Sequence, residues 1–179
     1  MRYTIQTLPQ TLVKEDFVLF FHSTPTNPVS KSCLSQWYEC EFWVSGVKYS
    51  TAEQYMMASK ALLFNDINNF HDIMKANTPQ EFKYLGRQTK GFDGAVWNAH
   101  KDRIVIEGNI AKFSQNADLK AFLLSTGDKI LVEASPYDKI WGIGIDEDHP
   151  DSINPSRWQG ENHLGFALMA VRDVMRTWE

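Results

Sequence analysis

The stretch Tyr49–Phe64, YSTAEQYMMASKALLF, constrains the fold more than any other part of the chain. It holds few helix breakers and many strong helix formers, which predicts a helix from about Thr51 to Phe64. Ser50, followed three positions on by Glu53, fits a capping box and sets the expected start. Tyr55, Met56, Met57, Ala58, Ala61, Leu62, Leu63 and Phe64 leave almost no polar face, and a helix apolar all round is normally buried. Glu53 and Lys60 nevertheless sit in it, on one side and roughly 10 Å apart along the axis. Buried charges are costly unless paired or facing a wet cavity. Two readings stand at this point. Either the helix lines a pocket with a carboxylate and an ammonium, or Glu53 only caps while Lys60 reaches water along its methylene stem.

A chain of 179 residues is most simply one domain with room for a real core. Its net charge of −4 disfavours nonspecific grip on duplex nucleic acid, which needs a basic surface. A small phosphorylated ligand stays open, because a few local Lys and Arg suffice. Aromatic residues make up 13%, enough for the core and for a planar ligand site. Cys33 and Cys40 form no CxxC, and no His follows at zinc-ligand spacing. No signal peptide is legible in Met1–Lys14 and no apolar run reaches membrane-spanning length, so a reduced, cytoplasmic protein without membrane contact is expected.

Along the chain, residues 1–16 read as an extended arm, and residues 17–179 as the folded domain. Phe17–Phe21 has the length and apolarity of a strand. Glu41–Tyr49 reads as a hairpin turning at Ser45-Gly46. Asn65-Asp66 ends the first helix, and Ile67–Ala76 is a second. Thr78-Pro79 opens a third through about Leu85, closed by Gly86-Arg87. Asp93 caps a long helix to Gln115, with Gly108 tolerable if another backbone packs against it. Ala117–Thr126 is a further helix closed by Gly127. Lys129–Glu133 is a second strand. Leu164, Leu168, Val171, Met175 and Trp178 mark one stripe of a last helix. The expected fold is mainly α (α+β): one bundle of about six helices with a small β-hairpin and short strands.

The irregular stretch Ala134–Glu161 is the second place for chemistry, because loops of this length are often functional. Asp138 and Trp141 offer a carboxylate and a stacking face; equally, Asp138 builds a turn and Trp141 is a hydrophobic lid. Gly142 and Gly144 permit close backbone approach to a ligand, though a lone Gly-x-Gly is a weak phosphate signal. Asn162 is placed to cap the last helix, or to face a cleft. Lys83, Arg87 and Lys90 form a basic cluster that a solvated face explains at least as well as a phosphate does. Asp146, Glu147, Asp148 and Asp151 miss the EF-hand spacing.

Taken together, Leu34-Ser-Gln-Trp37, Tyr49–Glu53 with Lys60–Phe64, Lys83-Tyr-Leu-Gly-Arg87, Phe92-Asp93 with Trp97, Ala111–Asn116, Leu131–Pro136, Asp138–Gly144 and Asn162-His-Leu-Gly165 resemble the YbiA-like, or NADAR, family. The likeness runs from about Phe17 to Arg176. Ser35-Gln36-Trp37 departs from a Ser-Asn-Phe common in the family. The resemblance implies a mainly α fold and hydrolysis of N-glycosidic bonds. Implied substrates are ribosyl-phosphate amino-pyrimidines, which are early riboflavin-biosynthesis intermediates, or ADP-ribosylated guanine bases in nucleic acid. A noncatalytic module binding ADP-ribose or a related nucleotide is the reading from another class. The resemblance also implies Glu53 and Asp138 as catalytic residues, with Trp141, Asn162, Lys60, Trp97, Arg87 and Gly142 contacting substrate. No metal and no cofactor is expected.

Overall fold

Thr51, not Ser50, opens the central helix of the computed structural model, which describes residues 2–178. The elements in chain order are β1 (Phe17–Phe20), β2 (Phe42–Val44), β3 (Val47–Tyr49), α1 (Ala52–Leu63), α2 (Ile67–Lys75), α3 (Pro79–Arg87), α4 (Gly94–Gln115), α5 (Ala117–Ser125), β4 (Ile130–Glu133) and α6 (His163–Arg176). Among the described residues this gives the expected six α-helices and β-hairpin, with the two further strands paired in a second two-stranded sheet. No helix among them is long and apolar enough to cross a membrane.

The chain divides into two compact units. One holds Gln36–Asn116, the other Met1–Ser35 with Ala117–Glu179.

In the Gln36–Asn116 unit, α1 packs against α2, α3 and α4. Residues 52–58 are all buried, Glu53 and Gln54 included, but the expected all-round burial ends in the last turn, where Leu62 is 43% exposed. Capping falls one residue later than predicted: Thr51 Oγ1 accepts from Gln54 N at 3.1 Å, and Gln54 Oε1 takes the Ser50 N–H at 2.9 Å. α3 also departs from expectation by running through Gly86 and Arg87. Gly86 lies inside the helix, where a Cβ would stand 2.0 Å from Met57 Sδ. Gly108 answers to a ring and not to a backbone, since its Cβ would lie 2.4 Å from Tyr55 Cδ1. That ring stands edge-on to Tyr49 at 5.1 Å, seating the β2–β3 hairpin on α1. Ser45 and Gly46 turn the hairpin with φ of 50° and 79°.

In the other unit, β1 and β4 pair in parallel, Phe17 opposite Ile130 through Phe20 opposite Glu133. α6 covers β4 and packs on α5. Leu164, Leu168, Val171 and Met175 are buried, whereas Trp178 lies past the helix end and is 56% exposed. The arm is not extended. It makes 3-10 turns at Ile5–Thr7 and Lys14–Asp16, and its Tyr3 hydroxyl donates to Asp173 Oδ2 at 2.6 Å.

Candidate functional site

The residues singled out in the sequence fall on both units, and each unit brings its own set together. In the Gln36–Asn116 unit the start of α1 carries Glu53, only 4% exposed. Its backbone N–H donates to Gln36 O at 2.9 Å, which ties the helix start to the chain entering the unit. The cap bonds at this helix start are made by the Thr51 and Gln54 side chains. A negative side chain in the first turn also gains from the helix dipole.

Seven residues on, one face holds Lys60. Its Nζ donates to Gly86 O at 2.8 Å and stands 4.4 Å from the Phe92 ring centroid and 5.6 Å from that of Trp97. The amine is half-buried, not reaching freely into water. Burial, and then the nearby Arg87 guanidinium, hold its pKa below the ordinary lysine value. One carbonyl occupies one of three ammonium donors, which leaves donors for an anion. Trp97 and Arg87 therefore share one neighbourhood centred on the Lys60 amine.

In the other unit the loop after β4 is a fixed device. Asp138 Oδ1 accepts from Ile140 N at 2.9 Å and Trp141 N at 2.8 Å, an Asx turn that aims the indole. The Trp141 ring lies edge-on to His163 at 5.9 Å, and His163 Nε2 is 2.6 Å from Glu161 Oε2. Gly142 is buried against its own loop: a Cβ would stand 2.9 Å from both Asp138 O and Glu133 O. Its small size serves loop packing in this structure.

Asn162 corrects the sequence reading most clearly. It occupies the N-cap position of α6 in the left-handed region, φ 55°, but makes no side-chain cap bond. Its amide is 0% exposed and instead bridges β4, accepting from Glu133 N at 3.0 Å and donating to Leu131 O at 3.0 Å. The partners are strand backbone groups, which no local sequence pattern reveals.

Comparison with known proteins follows from this geometry. A family model described as the NADAR domain matches residues 19–176. The chain belongs to the NADAR family. NADAR relatives include N-glycosidase R617 of Acanthamoeba polyphaga mimivirus, 45% identical over 166 residues that cover 90% of this chain and 98% of that one. N-glycosidase YbiA of Escherichia coli K12 is 29% identical over 163 residues, covering 91% of each chain. Protein irg-1 of Caenorhabditis elegans is 37% identical over 133 residues, 73% of this chain and 63% of that one. The NMR structure of Escherichia coli YbiA shares the fold, with a TM-score of 0.74 at 24% identity over 94% of this chain and 90% of that chain. The resemblance read from the sequence is thus borne out, and with it the mainly helical fold of a YbiA-like N-glycosidase.

Sequence reasoning passed over several polar groups in this NADAR chain. Gln36 and Asn109 are buried and joined, Asn109 Nδ2 donating to Gln36 Oε1 at 2.8 Å. Lys112 is wholly buried on α4, its Nζ 5.5 Å from the Tyr38 ring centroid. Gly165 lies where a Cβ would meet Leu131 O at 2.0 Å, so only glycine lets α6 approach β4 and leaves Asn162 its bridge. Lysines on a long helix read as solvated, and only burial distinguishes Lys112.

Proposed function

We propose that this NADAR N-glycosidase hydrolyses the N-glycosidic bond of a ribosyl-phosphate amino-pyrimidine, an early riboflavin-biosynthesis intermediate. The products are the released base and ribose 5-phosphate. Glu53 carries the reading: a carboxylate 4% exposed, on a helix whose cap is made by other side chains. Breaking the bond between C1′ and nitrogen builds positive charge on the ribose ring, and a fixed carboxylate in a dry site stabilises that charge. The same carboxylate can accept a proton from the attacking water, whose oxygen bonds to C1′ while the bond electrons leave with the base. Lys60, about 10 Å further along α1, suits the 5′-phosphate end of such a substrate. Its aromatic surroundings and Arg87 keep an ammonium and a guanidinium where a phosphate dianion gains most.

In the other unit, Asp138, Gly142 and Asn162 act by shaping the loop that presents Trp141. The arrangement of Asp138 Oδ1 on the Trp141 N–H supports that division of labour.

The test is base release, followed by chromatography, from the amino-pyrimidine ribosyl-phosphate and separately from ADP-ribosylated guanine DNA. Turnover of the first substrate, lost in Glu53→Gln with folding retained, is the expected result. Turnover of the second alone reassigns the substrate. Release from neither, with tight nucleotide binding, reassigns the protein to a binding module.

A further inference from the structure

Asn109 of α4 is wholly buried, at a core position where an apolar side chain would pack without a polar cost. Its amide nitrogen donates to two carbonyls, Val105 O one turn back at 2.9 Å and Gln36 Oε1 at 2.8 Å. Both oxygens require a donor, which fixes the way the amide points. Gln36 is buried too, and its backbone carbonyl accepts the Glu53 N–H at 2.9 Å. That N–H belongs to the first turn of α1, where no carbonyl of the helix itself reaches it. Gln36 therefore meets Asn109 at its side-chain end and Glu53 at its backbone. Two hydrogen bonds in line join the middle of α4 to the residue that bears the carboxylate.

The amide pair is a poor stabiliser of the fold. Two facing amides can exchange two hydrogen bonds, but this pair makes one, leaving Gln36 Nε2 and Asn109 Oδ1 buried without partners. Apolar side chains of the same shape would leave nothing unpaired. What the amides supply is direction, because a hydrogen bond fixes the tip of a long, rotatable side chain. The neighbouring residue of α4 presses on α1 at a second point. A Cβ on Gly108 would stand 2.4 Å from Tyr55 Cδ1, so Tyr55, two residues after Glu53, sits in a notch that glycine leaves open.

We propose that Asn109 is a positioning residue for the N-glycosidase reaction: through Gln36 it fixes the start of α1 and, with it, the place of the Glu53 carboxylate. The inference rests on the assignment of Glu53 made above, and lies wholly within the Gln36–Asn116 unit. A carboxylate that stabilises charge on a ribose ring acts from a fixed place, and a misplacement of about 1 Å can cost roughly 10²-fold in rate.

Two variants of the full chain cut the line from opposite ends. Asn109→Ser keeps a donor for Val105 O, since a helical serine bonds the carbonyl four residues back, but is too short for Gln36. Gln36→Met keeps the backbone carbonyl and the length of the side chain while removing its acceptor. Either decides alone where the other fails to fold. Each is expected to lower kcat about tenfold on the substrate assigned above, with KM within about twofold of wild type. Amide hydrogen exchange should quicken at Glu53 and stay unchanged at Ala61, later in α1. In the Glu53→Gln background neither variant should lower kcat further, because the place of an absent carboxylate no longer matters. A folded variant with kcat within about twofold of wild type overturns the proposal. The same fold loss in the Glu53→Gln background also overturns it, since the pair then acts on something else. Faster exchange throughout α1 does so too, by making the pair a stabiliser of the whole helix. Glu53→Gln at wild-type kcat, or a wild type that turns over neither substrate, overturns instead the reading of Glu53, and this inference with it.

Discussion

Removing the Asn162 amide separates its structural role from a direct role on substrate. Asn162→Gly deletes two buried hydrogen bonds, to Glu133 N and Leu131 O, while glycine adopts φ 55° without strain. Each strand group left unsatisfied costs about 1–3 kcal/mol, so Asn162→Gly should lose about 2–4 kcal/mol after partial rescue by water. Asn162→Ala loses the same bonds and adds a left-handed alanine, a further penalty of about 1 kcal/mol. Urea unfolding followed by tryptophan fluorescence measures both, and the difference between the variants isolates backbone strain from lost bonding. Activity should fall in parallel, through displacement of β4 and of the Trp141 loop. Asn162→Gly with a stability loss under about 1 kcal/mol would refute the bridging argument. A near-native stability with turnover gone would instead place the amide on the substrate.

Four further outcomes follow from named contacts. Glu53→Gln should lower kcat by a factor of about 10²–10³, the typical worth of a preorganised charge stabiliser, with an unfolding midpoint close to wild type; a kcat within threefold contradicts the assignment. Asp138→Asn keeps the Oδ1 acceptor for Ile140 N and Trp141 N and should keep most activity, whereas Asp138→Ala frees the indole and should lose it; equal loss in both would make the charge itself part of the chemistry. Gly108→Ala forces a methyl into the Tyr55 ring and should cost about 1–3 kcal/mol by chemical denaturation. Because the Lys60 pKa lies below the ordinary lysine value, phosphate affinity should weaken with rising pH before a free lysine would titrate; KM should climb on the alkaline side in wild type, and that climb should be absent from Lys60→Arg.

How much was legible follows the range of the signal. Helix positions were readable because caps and apolar spacing act within a few residues: Thr78 and Asp93 each cap the helix they precede. The Ser45-Gly46 turn was readable for the same reason. The one-residue slip at Ser50 and Thr51 arises because both hydroxyls fit the pattern, and only Gln54 decides between them. The parallel pairing of β1 and β4 was not legible, since the strands are separated by most of the chain and pairing leaves no periodic mark.

For the candidate site, residue types proposed the chemistry and three-dimensional placement assigned the duties. The sequence alone supplied the family, the oily helix carrying Glu53 and Lys60, and the acidic and aromatic loop after β4. Those are properties of local composition and short spacing. Only the tertiary structure decided that Asn162 serves a strand, that Asp138 Oδ1 holds two loop amides, and that Asn109 meets Gln36. Such outcomes depend on which distant backbone groups arrive within about 3 Å of a side chain, the reach of a hydrogen bond. That distance is set by packing, and packing is nowhere written in the neighbouring letters.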